Sequence, residues 1–473
     1  MRERVCYRIV FKLNSALSIG AADNDRTDHD VVLDSRGKPL LPGTSLAGLY
    51  RSYFAEVRAI EVFGEAYEEK RNQILKDLPK DEREKLLGED GHRCDESAVA
   101  VYDGEWADGN ATVTTRDSVA LRDKVAVDKL KFDRQVVQAG AIFVTHIEIL
   151  DTQRCQTYDI EEVLSAIHAG ELRLGAKKTR GYGRLEVLSC LRRSFGTNDV
   201  EKWLEFDLFA NEGENSWRLA EDTAGDITEE IRSGYTPRGI DLRLKLQLCG
   251  GVSIREYSTE PSGDDGASPD YRQMVVHGVL DDKGNRIPVI PGTSWCGALR
   301  DRYEQFAGTD RTRALFGYAD EGKGDDSKRI SRLSFDNEYE ITGGQWRRIT
   351  RNAIDPFTGG TVQGALYTEE TYYGGTTDLI LRVSNTEGLD ESHYAPLVCV
   401  LADLHNGFLA VGGLTAVGRG LFRIREAELL VDGKQRDGFK EALLSSPAGF
   451  EGLVVPDVED VSKMFCTRGG EEQ

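Results

Sequence analysis

No apolar run in these 473 residues approaches the length needed to cross a bilayer, and Met1 to Leu13 alternates charged and apolar residues instead of forming a signal-peptide core. The expectation is a cytoplasmic protein with no membrane partner. Paired cysteines are also missing. Cys6, Cys94, Cys155, Cys190, Cys249, Cys296, Cys399 and Cys466 lie far apart with no Cys-x-x-Cys, which suits buried thiols in a reducing compartment. His92 and Cys94 make half of a zinc site with no second pair nearby, so no zinc is expected. Proline is scarce, 12 against 50 glycines, which points to tight turns in folded structure. Positive charge is outweighed, 60 Lys and Arg against 81 Asp and Glu, a net charge of -21. That balance excludes a protein that coats nucleic acid by overall charge, because phosphate binding draws on clustered cations. Any RNA surface must therefore be local. The acids concentrate from Glu61 to Glu96 and from Asp199 to Glu230.

What is present is a repeat. Leu164-Ser-Ala-Ile-His168-Ala-Gly170-Glu-Leu172-Arg-Leu174-Gly175 matches Leu401-Ala-Asp-Leu-His405-Asn-Gly407-Phe-Leu409-Ala-Val411-Gly412 at a constant offset of 237. The same offset carries Gly181 and Gly183 onto Gly418 and Gly420. Earlier, Leu41-Pro-Gly-Thr-Ser-Leu-Ala-Gly48 mirrors Ile290-Pro-Gly-Thr-Ser-Trp-Cys-Gly297 at an offset of 249, so the halves differ by loop insertions. Period-two patterns at Val5, Tyr7, Ile9 and Phe11, and at Ile240, Leu242, Leu244, Leu246 and Leu248, predict a half-buried opening strand in each half. A helix is expected from Thr44 or Ser45, whose hydroxyl would cap it, and a second amphipathic helix near Ile160 to His168. This element order fits an α+β fold, two ferredoxin-like β-α-β-β-α-β cores in tandem. The expected divisions are 1–195 and 238–430 for the two domains, 196–237 for an acidic connector and 431–473 for a tail.

The helix-opening Pro-Gly-Thr-Ser-x-x-Gly-x-x-Arg, the Phe-Gly at Phe63 and Phe316, and the Gly-x-Gly-Arg-like loops together resemble the RAMP superfamily of CRISPR proteins. Within it the chain is most similar to the backbone subunit of type III effector complexes, as a fused pair. Val125-Ala-Val-Asp128-Lys with Ala139-Gly-Ala-Ile-Phe143 resembles that family's thumb hairpin, and so does Asn352-Ala-Ile-Asp355-Pro with Gly364-Ala-Leu-Tyr367-Thr-Glu-Glu370. The resemblance implies RRM-like domains that hold a guide RNA (crRNA), a complementary single-stranded target RNA and other effector subunits in a ribonucleoprotein particle of antiviral defence.

Residue chemistry offers support beside the resemblance. Arg173 to Arg184 holds five cations and no acid, namely Arg173, Lys177, Lys178, Arg180 and Arg184. Gly181 and Gly183 would let backbone N–H groups approach phosphates, and Tyr182 could stack on a base; the alternative is a solvated glycine-rich turn. The second copy offers Gly418, Arg419, Gly420 and Arg423, with Arg347, Arg348 and Arg351 ahead of its hairpin. Arg51 and Arg300 leave the first helix of each half and are either phosphate contacts or weak surface ion pairs.

In the family, a loop after the first strand supplies an aspartate for metal-dependent cleavage of target RNA. Here that loop reads Gly20-Ala-Ala-Asp23-Asn-Asp25-Arg26-Thr-Asp28-His29-Asp30. Matching Val31-Val-Leu-Asp34 to the family's next strand puts Asp28 at the catalytic position, with Asp25 and Asp30 as the next candidates. A carboxylate suits Mg²⁺ or another hard divalent cation, which would stabilise charge on the phosphate during 2′-hydroxyl attack. The loop of the second half contains Glu260, Asp264, Asp265 and Asp270, of which Asp270 is the candidate. Two alternatives stand beside the endoribonuclease: a purely structural guide-binding filament subunit, and a metal-independent processing endonuclease relying on a histidine such as His168 or His405.

Overall fold

The computed structural model describes residues 3–21, 27–64, 79, 96–122, 125–210, 217, 224–256, 269–319, 328–447 and 452–466. Asp23, Asp25, Arg26, His92, Cys94, Glu260, Asp264 and Asp265 lie outside the described residues. The chain forms two compact units, Met1–Lys178 with Tyr182–Pro237, and Arg238–Gln473 with Thr179–Gly181.

In the first unit the opening strand β1 (Arg4–Leu13) buries Val5, Tyr7, Ile9, Phe11 and Leu13 on one face, as its alternation requires. Helix α1 (Gly43–Arg51) and helix α2 (Glu56–Phe63) follow, then β2 (Val99–Val101) and β3 (Gly104–Gly109). A hairpin of β4 (Val113–Arg122) and β5 (Val125–Val137) leads into β6 (Ala141–Ile149). Helix α3 (Thr157–His168) and strand β7 (Leu185–Phe195) complete the core. Strand β1 lies antiparallel between β6 and β7, and both β2 and β3 pair with the far edge of β6. The spatial order β2-β6-β1-β7 is that of a ferredoxin-like sheet.

The second unit repeats this plan with β9 (Ile240–Cys249), β10 (Tyr271–Gln273), β11 (Arg286–Pro291), helix α4 (Gly292–Phe316), which is broken by a kink at Gly308, and β12 (Leu333–Phe335). Its hairpin is β13 (Gln345–Ile354) with β14 (Thr361–Tyr373), followed by β15 (Thr376–Val383), helix α5 (Glu391–Asn406) and β16 (Leu421–Val431). The order β12-β15-β9-β16 is the same. Even an irregularity recurs: the register of β1 on β7 shifts between Val10 and Phe11, and that of β9 on β16 between Lys245 and Leu246. The expectation of a tandem α+β pair with hairpins is borne out.

One local expectation is corrected. Neither Thr44 nor Ser45 caps α1. Pro42 stands at the N-cap without a side-chain bond, and the Gly43 N–H donates instead to the Asp103 carboxylate at 2.6 Å. In α4 the Gly292 N–H donates to the Asn337 carbonyl at 2.9 Å. The Pro-Gly pair is demanded by approach: a Cβ on Gly43 would stand 2.5 Å from the Val101 carbonyl oxygen, and one on Gly292 would stand 2.2 Å from that of Asp336.

Residues beyond the family-like cores join them. The short strand β8 (Ala224–Asp226) adds to β7, and Ile227 and Ile231 enter the first core. On the other face of that sheet Cys6, Phe195 and Trp217 form a separate apolar cluster with Trp203, Phe206 and Leu208. In the second unit, Phe439, Leu443, Val461 and Phe465 belong to the core, and Phe465 stacks on Tyr394 at 5.3 Å.

The covered face of the first sheet buries a histidine. His146 is edge-on to Phe209 at 5.2 Å and stacked with Trp217 at 6.3 Å. Its pKa is pushed down to about 4, first by burial and then by the Arg8 cation, with Asp207 opposing. The unfolded chain therefore binds an extra proton between about 4 and the ordinary 6.5, so this contribution to stability is full above 6.5 and is lost as pH falls through that window. Denaturant titrations from pH 7 to pH 4 should show the first unit weakening, and His146→Phe should flatten that dependence.

Backbone crowding gives a second expectation. Gly420 (φ 74°) would drive a Cβ to 1.9 Å from the Val411 carbonyl oxygen, whereas Gly418 (φ 81°) has open space around it. Gly418→Ala should cost about 1–2 kcal/mol from backbone strain alone. Gly420→Ala should cost roughly 3 kcal/mol or more, read by thermal or urea unfolding.

Candidate nucleic-acid interface

The loop after β1 is sewn to the base of the hairpin. Leu17 pairs with Val137, and the Gln135 N–H donates to the His29 carbonyl at 2.9 Å while the Gln135 side-chain oxygen accepts from Val31 N–H at 3.3 Å. Between these ties Asp28 and Asp133 exchange bonds. The Asp28 N–H donates to Asp133 Oδ1 at 2.9 Å, and the Asp133 N–H donates to Asp28 Oδ2 at 3.0 Å. Asp28 remains exposed at the surface. Asp30 is buried and holds the turn, accepting from the Thr27 N–H at 3.0 Å and the Thr27 hydroxyl at 2.8 Å.

The second unit has the same joint. Val252 pairs with Tyr372, and Tyr271 and Arg272 run parallel to Glu369 and Glu370. The Asp270 N–H donates to the Thr368 carbonyl at 2.8 Å, and the Thr368 N–H donates to Asp270 Oδ2 at 2.7 Å. Leu17 to Val252, Val137 to Tyr372 and Asp133 to Thr368 are each 235 residues apart. Asp28 and Asp270 thus bond the same backbone N–H of the returning hairpin strand. Both are exposed. Counting back from the Pro-Gly turn does not align them, because the intervening loops differ in length; the strand register does. Asp133 and Thr368, the partners that fix the pair, carry no motif and were found only through the fold.

In chemical terms the first joint offers two carboxylates and the second offers one carboxylate beside a threonine. Oxygen donors of this kind fit a hard divalent ion that keeps several waters. Among the described residues no group of three or more His, Cys, Asp or Glu could hold a metal by itself.

The glycine-rich loops prove to be ties more than open cradles. The Gly183 N–H donates to the Ala16 carbonyl at 2.9 Å, and the Gly420 N–H donates to the Gly251 carbonyl at 2.8 Å, so neither is available to a phosphate. Gly181 has φ 86°, and the Gly418 N–H turns back to Thr415 at 3.0 Å. Tyr182 is not a base-stacking platform: it is 8% exposed, packs with Ala16 and Val136, and lies under the Arg116 guanidinium at 5.9 Å. Arg419 is not a phosphate contact either. It is 2% exposed and ion-paired to Glu369. Arg351 reaches the same Glu369 oxygen at 3.2 Å. Arg51 donates to the carbonyls of Ala59 and Gly64 and so holds the end of α2. These cations satisfy the fold because a guanidinium can reach carbonyls and carboxylates that the chain itself presents.

The other candidate cations are exposed or half-buried. Lys178, Arg180, Arg347, Arg348 and Arg423 lie at the surface, with Lys177, Arg184 and Arg300 half-buried. Arg347 also covers the Tyr373 ring at 4.8 Å. At the tip of the second hairpin the Asp355 carboxylate accepts from the Phe357 N–H at 2.8 Å, and Phe357 stands 96% exposed. The corresponding part of the first hairpin is a strand pair up to Arg122 and Val125. His168 accepts from the Val187 N–H through Nδ1 at 3.3 Å. His405 is half-buried, and its pKa, like that of His168, is lowered chiefly by burial.

Both halves thus share a ferredoxin-like core with an inserted hairpin, a Pro-Gly helix start and a closing glycine loop. The family model of the RAMP superfamily matches residues 10–186 and 274–423, and the chain belongs to that superfamily. RAMP proteins bind crRNA and other CRISPR subunits. No curated protein matches the chain. Among the described residues no helix is long and apolar enough to cross a membrane.

The two joints make a prediction of their own. With Asp28→Ala or Asp270→Ala the amide of Asp133 or Thr368 loses its acceptor, and its hydrogen exchange should speed by about tenfold, corresponding to a bond worth roughly 1.5 kcal/mol. Asn at either position keeps the acceptor and should leave exchange nearly unchanged.

Proposed function

We propose that this chain is a guide-RNA-binding backbone subunit of a type III CRISPR interference complex, and that it cleaves the complementary target RNA with a divalent metal ion. The observation that carries the reading is the repetition of one exposed aspartate at one register position, Asp28 in the first unit and Asp270 in the second, each held against its hairpin base. A nuclease that cuts at regular intervals needs a reacting group fixed relative to whatever divides the duplex into intervals, and a hairpin continuous with the central sheet supplies that frame. Sequence selection would rest with guide–target pairing, and protein contacts with backbone and shape.

Mg²⁺ or a similar ion would supply charge stabilisation on the phosphate, with Asp28, beside Asp133, holding it in the first unit and Asp270 in the second. Remaining ligands would come from phosphate and water. Lys177, Lys178, Arg180, Arg184, Arg300, Arg347, Arg348 and Arg423 would contribute to guide contacts. The burial of His168 and His405 disfavours a histidine-dependent processing nuclease.

A purely structural subunit is favoured by one specific fact: each aspartate already has a loop-ordering bond. The two readings part in one experiment. In assembled complexes carrying guide, Asp28→Asn and Asp270→Asn keep the hydrogen-bonding shape but lose charge. Cleavage should fall by about 10²-fold or more at the target positions facing the altered unit, with guide binding unchanged. Unchanged cutting by the double variant would leave the structural reading in its place.

A further inference from the structure

The residue between the two loop glycines differs sharply between the halves, Tyr182 in one and Arg419 in the other, yet both are turned inward. Tyr182 packs on Val136 of β5, next to Gln135, the residue that bonds both His29 and Val31 around Asp28. Arg419 pairs with Glu369 of β14, next to Thr368, the residue that bonds Asp270. In the second unit the contact on the hairpin strand lies one residue from the aspartate's anchor, Thr368; in the first it lies three residues from Asp133 and one from Gln135, which bonds the residues on either side of Asp28.

We propose that this position is a positioning residue that locks the glycine loop to the hairpin base and so fixes the aspartate. The lock is aromatic in the first unit and ionic in the second. The proposal rests on the cleavage reading for its catalytic consequence, but the lock itself can be measured without cleavage. In the second unit the geometry is the more demanding. Glu369 is 2% exposed and receives both Arg419 and Arg351, and the Arg419 guanidinium also lies 4.8 Å from the Tyr373 ring centre. Gly251 permits the approach, since a Cβ there would stand within clashing distance of Arg419 Nη1. Arg419 Nη1 is itself buried with no hydrogen-bond partner. Arg419 therefore depends on Glu369 for compensation of its charge, and a buried guanidinium left without its carboxylate must move toward water. Moving it frees the loop from β14 and loosens Thr368. Tyr182, neutral and packed, carries no such dependence.

The test uses the full chain. Glu369→Gln keeps the shape of the side chain and removes its charge. The Thr368 amide should then exchange about tenfold faster or more in the isolated protein, while the Asp133 amide is unchanged. In the assembled complex, kcat for the cut facing the second unit should fall by about tenfold or more, with guide affinity and the cut facing the first unit held within about twofold. The double variant Glu369→Gln with Arg419→Met removes the stranded charge and should restore Thr368 protection and most of the rate. Thr368 exchange at the wild-type rate in Glu369→Gln would overturn the proposal, as would a double variant no better than the single one. If Asp270→Asn cuts normally, the cleavage reading of this unit fails, and the exchange measurement still decides the lock.

Discussion

Each half of this protein depends on a seam where the chain leaving the first strand meets the strand returning from the hairpin, Leu17 on Val137 and Val252 on Tyr372. The returning strand continues into the central sheet with only a short turn between, at Gln138–Gly140 and at Gly374–Gly375. Whatever is bonded to it is therefore fixed relative to the core. The acid loop is bonded to it directly, and the glycine loop is bonded to the leaving chain at Ala16 and Gly251. An exposed aspartate on a surface loop would ordinarily sample many positions; two backbone bonds at the seam remove most of that freedom.

Ion pairing within the fold shapes the electrostatics. A chain with a net charge of -21 has to bind a polyanion through local cations, and many of its arginines are already engaged. Arg58 pairs with Asp159, Arg382 with Asp241, Arg302 with Asp403, and Arg419 with Glu369. Exposed cations such as Lys178, Arg347 and Arg423 are placed to release counterions on RNA binding. Burial also separates roles among the carboxylates: Asp30 and Glu369 organise the backbone and the arginines, while Asp28 and Asp270 stay open to solvent.

Much of this was legible in the sequence. Alternation in β1 and β9, the Pro-Gly helix starts and the offset of 237 gave the tandem fold, because periodicity and close-approach glycines leave direct marks on residue choice. Asp270 was legible only as one acid among four, since loop insertions shift the spacing while hairpin register, at an offset of 235, preserves it. Tyr182, Arg51 and Arg419 were misread for a shared reason. Composition reports which side chains carry charge or a ring, and burial decides whether solvent ever meets them. Hydroxyl caps at Thr44 and Ser45 failed similarly, because Asp103, distant in sequence, reaches the Gly43 N–H first.

What faces the two aspartates when RNA is bound decides whether they can cut. An experimental structure of the assembled complex with guide and target should put a target phosphodiester within one metal or water layer of both Asp28 and Asp270, with the guide backbone along the exposed cations. A target strand that passes on the opposite side of the sheets, or a neighbouring subunit covering both carboxylates, would contradict it.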